Sequence, residues 1–386
     1  MHNRKVIFTT GIRSDFYIQN PIIKAVSDHP SLESQIIITG AHLFKEYGYT
    51  AEEVRKEGHN IVAEINSLEV SDDPASRIKG AANQLHELIR VIEKEKPDFI
   101  ISPYDREESI TTALAGVYMN IPVAHLGAGD RTRVNVDGII RHSVTKLAHI
   151  MFCSTEENAH RIIKMGEENF RVHIVGHTAL ERYKTIASLT KKEIETFLGL
   201  SILGKPLIVV IQHPVSNWIE KTREHMLITL SAIDKLEYPT VIIRPNSDPG
   251  EGAIKSVLEN YRFKHNSQVK VFNSIPELYF VNILRKASVL VGNSSMGVAE
   301  APMLKLPVVN VGLRQKDRQN AGNIIFVPHI KNKIVNAVYK CLNDENFKVK
   351  LKTLKNPYKS GAGQKIAKIL AEIDIDKKLL NKRITY

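Results

Sequence analysis

Short runs of apolar, mostly β-branched residues alternate along the chain with longer stretches whose apolar positions recur every three or four residues. The first pattern is that of a strand buried on both faces, the second that of an amphipathic helix. In the first half the pattern predicts strands over 5–10, 35–39, 61–65, 99–102, 123–126, 150–153 and 171–175. Helices are predicted over 82–94 and 109–119 among the segments between them. The alternation restarts at Pro206, with strands over 207–212, 240–244, 269–272, 288–291 and 308–311 and helices over 221–233, 276–284 and 296–304. A polar stretch, 178–205, separates the two series, and 361–380 reads as one strongly amphipathic helix. Strands alternating with helices predict parallel sheets covered on both faces. The expected fold class is therefore α/β, with two doubly wound, Rossmann-like parallel-sheet domains over 1–177 and 178–360 and a C-terminal helix in 361–386. Ligands of such sheets gather at the carboxyl ends of the strands, so a cleft between the two domains is the expected site.

Composition narrows this picture without changing it. A chain of 386 residues is too long for one ordinary domain. With 43% hydrophobic and 25% charged residues, each half can bury a core of its own. The net charge is +11, but the basic residues are scattered, with clusters only at 331–333 and 377–382. No nucleic-acid-binding signature accompanies them, so no nucleic-acid partner is expected. The excess is read as solvated surface plus a cleft that attracts an anion. Cys153 and Cys341 are the only cysteines and stand in no CxxC or Cys/His array, so neither a disulfide framework nor a metal site is expected. No apolar run has the length of a signal peptide or a bilayer span, which makes the cytoplasm the expected location and a membrane partner unexpected.

Candidate chemistry sits just after predicted strands. Asp105 follows the strand 99–102, and Asp130 follows 123–126 through the turn Gly127–Ala128–Gly129. Asp137 opens the helix that continues Gly138–Ile139–Ile140–Arg141–His142. An Asp after a strand is commonly only a helix cap or a turn former, but here the acids converge on one sheet edge. The Gly-rich turn is not GxGxxG, and no acid follows a second strand to read a ribose, which argues against a nicotinamide cofactor. His213 ends the apolar run IVVIQHP, where a structural role and contact with a phosphate or reacting centre both fit. The next strand ends in the same way, in Arg244–Pro245–Asn246–Ser247–Asp248. The strand 288–291 runs into Gly292–Asn293–Ser294–Ser295 and then a helix, which suits a diphosphate as well as an N-cap. Glu300 lies about one helical turn beyond Met296, where a carboxylate can accept both ribose hydroxyls. Arg13, Arg314, Gln315 and Arg318 follow strands, and the arginines read either as phosphate forks or as surface ion pairs.

With these residues placed, the chain resembles the hydrolysing UDP-N-acetylglucosamine 2-epimerases, the sialic- and legionaminic-acid branch of their superfamily. The resemblance runs nearly end to end. It rests on TGIRSDF near residue 11, YDREES near 105, IRHSVTKLAH near 141, QHPV near 213, RPNSDPG near 244, LVGNSSMGVAEAP near 291, LPVVNVGLRQKDRQNAGNII near 307 and NPYKSGAG near 356. It implies the GT-B architecture, with the C-terminal helix packing back on the first domain. It implies a reaction in which the C2 proton is removed, UDP leaves C1, and water adds to the glycal to give free ManNAc inverted at C2. No metal or redox cofactor is implied. By motif, Asp105, Asp130, Asp137 and His213 fall on catalytic positions. Ser294, Ser295, Glu300 and Arg314 fall on UDP-binding positions, and Arg13 and Asn246 line the same cleft. Which carboxylate is base and which is acid stays open. Relatives of this kind are commonly homodimers, and the same state is expected here.

One departure stands out. The hydrolysing branch carries an HGGE-like turn where this chain has Leu126–Gly127–Ala128–Gly129–Asp130, so a shorter acid replaces Glu. The non-hydrolysing branch places its Glu where this chain has Gly127, leaving Asp130 as the only carboxylate of the turn. The stretch 132–136 also lacks the Gly expected there. A shorter acid fits a shifted sugar, a modified sugar or impaired activity, and UDP-2,4-diacetamido-2,4,6-trideoxy-glucose is the alternative donor to UDP-GlcNAc. A non-hydrolysing epimerase, a GT-B glycosyltransferase and a non-catalytic nucleotide-sugar binder are the rival readings, since fold alone does not settle function.

Overall fold

Seven strands build the first sheet: β1 (Arg4–Thr10), β2 (Leu32–Thr39), β3 (Ile61–Ile65), β4 (Phe99–Pro103), β5 (Val123–Leu126), β6 (Ile150–Cys153) and β7 (Val172–Ile174). They are all parallel and stand in the order β3-β2-β1-β4-β5-β6-β7. Six more, β8 (Ile208–Ile211), β9 (Thr240–Ile243), β10 (Val269–Phe272), β11 (Val289–Gly292), β12 (Val308–Val311) and β13 (Ile324–Val327), form a second parallel sheet in the order β10-β9-β8-β11-β12-β13. This is a computed structural model that describes residues 3–69, 73–202 and 204–386, the side chain of residue 266 excepted. Met1 and His2 of the N-terminal segment and Leu203 of the polar stretch lie outside the described residues. The chain divides into a first unit, Met1–Asp130, Val136–Glu181 and Tyr358–Tyr386, and a second unit, Arg131–Asn135 and Arg182–Pro357.

The strands form where apolar residues run without interruption because both faces are covered. Val6 and Phe8 of β1 pack with Phe16, Ile22 and Ile23 from the helix Arg13–Ser27. Ile7, pointing the other way, packs with Ile37, Ile100, Leu88 and Ile92. Each such side chain contributes about 1.5–3 kcal/mol through burial. The helix Ala362–Glu372 adds Ala362, Ile366, Ala367 and Leu370 to the first of these clusters. Its last carbonyls accept from the guanidinium of Arg4: Leu370 at 2.9 Å, Ala371 at 2.9 Å and Ile373 at 2.8 Å. The fully buried Arg171 grips the tail beyond it through the carbonyls of Leu379 at 2.6 Å and Lys378 at 2.8 Å.

The predicted strands all form, shifted by at most three residues at their ends. Three elements differ from expectation. The run 361–380 is two helices, Ala362–Glu372 and Lys377–Leu380, because Ile373 turns extended and Asp376 caps the second by accepting from the Leu379 N–H at 2.8 Å. The run 296–304 breaks at Glu300 into a single α-turn, Met296–Ala299, and a 3-10 turn, Ala301–Leu304, since Pro302 has no N–H to continue an α-helix. The edge strand β13 was not expected from its four-residue apolar run.

In both sheets the order reverses beside the first strand, between β1 and β4 and between β8 and β11. The crevice at such a reversal, at the carboxyl ends of the strands, is where ligands of open parallel sheets bind. Asp105 follows β4, and His213 and Asn293 follow β8 and β11, so much of the candidate chemistry lies at these two points.

Two histidines are sealed inside the first unit. His42 lies between Thr10 Oγ1 at 3.0 Å and Thr50 Oγ1 at 2.8 Å, and His125 bonds the Tyr104 carbonyl through Nε2 at 2.7 Å. Burial pushes each from an ordinary value of 6.5 to about 3, and for His42 the charge of Arg13 adds to the effect. Because the folded values are depressed, this stability is complete above about pH 6.5 and is lost as pH falls toward them. The thermal midpoint is expected to decline steadily between pH 6.5 and pH 4.5, before most carboxylates titrate. A midpoint that stays flat across that interval would contradict the burial of neutral imidazoles.

Candidate active site

In the first unit, one guanidinium organises the acids. Arg141, on the helix Val136–Leu147, is 6% exposed and donates through Nη2 to Asp105 Oδ2. Its Nη1 donates to the Gly127 carbonyl at 3.1 Å and lies 3.6 Å from Asp130 Oδ2. The structure thus joins Asp105 and Asp130 on a single fork. Asp137 stands in the first turn of the same helix, four residues before Arg141 and so on the same face.

The backbone sets these positions. Tyr104 adopts φ 48° directly after β4, turning the chain so that Asp105 leaves the sheet edge. Gly127 has φ 70°, and a Cβ there would lie 2.6 Å from the Tyr104 ring. No carboxylate-bearing residue fits at that position, so the acid of the turn has to come later, at Asp130. The Gly129 carbonyl, immediately before it, accepts from Asn158 Nδ2 at 3.3 Å and from Arg161 Nη1. Asp130 itself is 6% exposed.

Residues 131–135, between Asp130 and Asp137, belong to the second unit. Within that unit the Arg133 N–H donates to the Arg314 carbonyl at 3.2 Å, the Arg133 side chain pairs with Asp317 at 2.8 Å, and Asn135 Oδ1 accepts from the Ser216 N–H at 3.2 Å. Val134 sits at φ 49°, a conformation costly for a β-branched residue. This is the stretch where a glycine was expected, and the backbone shows why one would suit it.

The second unit is organised by Asn293 rather than by charge. Its Oδ1 accepts from the His213 N–H at 2.7 Å and its Nδ2 donates to the His213 carbonyl at 2.9 Å, fixing the chain after β8. The Asn293 carbonyl accepts from Arg314 Nη1 at 3.2 Å and Gln315 Nε2 at 3.0 Å, and Arg318 supports Gln315 Oε1 at 2.7 Å. Gly292 is obligatory here, because at φ 131° a Cβ would lie 2.0 Å from the Ile211 carbonyl oxygen. The His213 ring lies 3.6 Å from Asp248 through Nδ1. Ser294 is half-buried and Ser295 exposed, at the start of the single turn Met296–Ala299.

The remaining candidates take other places. Glu300 lies outside the Asn293 network, 4% exposed, with Oε2 held by Arg182 and by the Tyr183 hydroxyl at 2.8 Å. Asn246 is half-buried in the loop after β9, whereas Arg244 of the same motif is tied to Glu251 and to Asn273 Oδ1 at 2.9 Å and holds the loop. Arg13 opens the helix after β1, close enough for its charge to act on His42. Sequence reasoning did not assign Arg141, Asn293 or Arg182, although the first two lie inside motifs it quoted. Among the described residues, no group of three or more His, Cys, Asp or Glu is placed to hold a metal ion, and no helix is long and apolar enough to cross a membrane.

Known proteins are similar to this chain in sequence and in fold. The chain is 32% identical over 326 residues to a hydrolysing GDP/UDP-N,N′-diacetylbacillosamine 2-epimerase of Campylobacter jejuni, covering 84% of each. It is 29% identical over 384 residues to a hydrolysing UDP-N,N′-diacetylbacillosamine 2-epimerase of Legionella pneumophila, covering 99% of this chain and 100% of that one. Its fold matches a crystal structure of UDP-GlcNAc 2-epimerase from Neisseria meningitidis bound to UDP-GlcNAc, with a TM-score of 0.78, 21% identity and coverage of 94% and 98% of the two chains. The architecture is thus GT-B-like, two parallel-sheet domains of seven and six strands. Residues 24–371 match the family model described as UDP-N-acetylglucosamine 2-epimerase, and the chain belongs to that family.

Proposed function

We propose that the protein is a hydrolysing 2-epimerase that converts a UDP-linked N-acetylamino sugar and water to UDP and the free 2-epimeric sugar, for nonulosonic (sialic-type) acid biosynthesis. The observation that carries the reading is the pair of acids, half-buried Asp105 and buried Asp130, on the one guanidinium of Arg141. Elimination needs a base for the C2–H proton and charge stabilisation for the departing diphosphate. In this reading the first unit supplies the base and the acid from Asp105, Asp130 and Asp137. His213, with Arg13, Asn246, Ser294, Ser295 and Arg314, steadies the UDP. Glu300 accepts the ribose hydroxyls. The C2 proton passes to a carboxylate, the C1–O bond breaks with its electrons going to UDP, and water then supplies the hydroxyl at C1 and a proton at C2. No cofactor enters this balance.

UDP-GlcNAc, giving ManNAc, is the first donor to test. A second donor, UDP-N,N′-diacetylbacillosamine, is favoured by the activity for which the Campylobacter and Legionella relatives are named and by the shorter acid at Asp130. The reading extends to a cytoplasmic homodimer. Ile78, Tyr118 and Ile139 are 73%, 84% and 71% exposed on three helices of the first unit, and exposed apolar side chains of this kind are what a second copy would cover. Light scattering is expected to give twice the mass of one chain, and a monomer at micromolar concentration would remove this part of the proposal.

Incubation with each donor, followed by NMR, is expected to show free UDP and a free 2-epimeric sugar from at least one of them. Accumulation of the epimeric UDP-sugar with no free sugar would instead indicate a non-hydrolysing epimerase. A product that depends on an added acceptor would indicate a transferase, and tight UDP binding without turnover a binder. Asp105→Asn and Asp130→Asn are each expected to lower kcat about 10²–10⁴-fold while UDP affinity changes little. Equal kcat in either variant would remove that acid from the chemistry.

A further inference from the structure

Glu300 is held in a way that the ribose contact alone does not explain. Arg182 Nη2 and the Tyr183 hydroxyl both donate to the same oxygen, Oε2. Arg182 is itself fixed: Glu277 Oε1 lies 3.5 Å from Nη1, and the guanidinium sits 5.3 Å from the Tyr183 ring centre and 5.5 Å from that of Phe280. All three members of the cluster are buried. Glu300 closes the single turn Met296–Ala299 and precedes Pro302, so the backbone cannot wind on into a helix that would carry it away.

We infer that Arg182 and Tyr183 are positioning residues for nucleotide recognition: they occupy one oxygen of Glu300 and so present the other, Oε1, as the acceptor for the ribose hydroxyls. The proposal rests on the assignment of Glu300 to the ribose. A buried carboxylate without a counter-charge would be costly, and one free to rotate would offer a diol no fixed acceptor. The guanidinium supplies the counter-charge, and its planar fork together with the hydroxyl fixes the rotation. Burial, reinforced by the Glu300 charge, pushes the Tyr183 hydroxyl well above its usual range, which keeps it a donor. Burial works against the charge of Arg182, but Glu300, Tyr183 and Glu277 outweigh it and raise its pKa. The result is ribose specificity: a nucleotide that lacks a hydroxyl leaves the prepared acceptor unpaired.

The test compares UDP with 2′-deoxy-UDP by calorimetric titration of the wild-type chain and of Glu300→Gln, Tyr183→Phe and Arg182→Lys. The wild-type protein is expected to prefer UDP by about tenfold or more, the usual scale for a hydrogen bond to a charged group. Tyr183→Phe, which removes one hydroxyl and keeps the ring, is expected to reduce the preference to about threefold or less, with the loss in turnover assays appearing in KM for the donor rather than in kcat. Arg182→Lys is expected to do the same, and if it fails to fold, Tyr183→Phe decides alone. If Glu300→Gln abolishes the preference while Tyr183→Phe and a folded Arg182→Lys both retain it, the positioning role is overturned and the ribose assignment stands. If Glu300→Gln itself leaves the preference intact, the ribose assignment fails and the inference fails with it.

Discussion

The first unit depends on a single buried guanidinium. Two carboxylates brought together at the ends of neighbouring strands repel each other and lose hydration, and neither penalty is offset unless a cation is buried with them. Arg141 provides that cation, and its planar fork also fixes where each acid points. Its requirements propagate outward. The helix Val136–Leu147 has to present Arg141 inward, β4 has to end in a left-handed Tyr104, and the turn after β5 has to be glycine at 127 so that a carbonyl can meet the same guanidinium. Removing Arg141 would leave both acids without the counter-charge they share.

The second unit uses the same sheet order but different chemistry. The order reverses between β8 and β11 as it does between β1 and β4, yet the loops there are held by amides. Asn293 clamps His213 through both backbone groups and is itself gripped by Arg314 and Gln315. A neutral amide leaves the cationic charge of this network to Arg314 and Arg318, with Asp248 3.6 Å from the His213 ring. Among the acids of this unit, Glu251 is paired with Arg244, and Glu300 is held by Arg182 and Tyr183. The division between acids in one unit and amide and guanidinium groups in the other follows from which side chains the strand ends carry.

Much of this was legible along the chain. Strands buried on both faces leave uninterrupted apolar runs, so the twelve strands read from sequence all form, within three residues at each end. β13 was not read along the chain, although its run is as long as that of the other edge strand, β10. The breaks at Glu300 and Ile373 depend on a proline and on a cap, whereas the apolar spacing continues across both. Asp105, Asp130 and Asp137 could be named because they follow strands or open a helix. Arg141 could not be given its role, because nothing in IRHS says that its side chain turns inward to meet two acids distant in sequence. Arg182 was invisible for the same reason: its partner Glu300 lies 118 residues away.

The central claim is that the acids gathered on Arg141 remove the C2 proton of a UDP-linked amino sugar. A donor carrying deuterium at C2, turned over in ordinary water, tests this most directly. Mass spectrometry of the released sugar is expected to show the deuterium replaced by hydrogen, since the proton taken at C2 exchanges before water completes the reaction. Complete retention of deuterium in the sugar would mean that UDP leaves by simple hydrolysis or transfer, and would contradict the account.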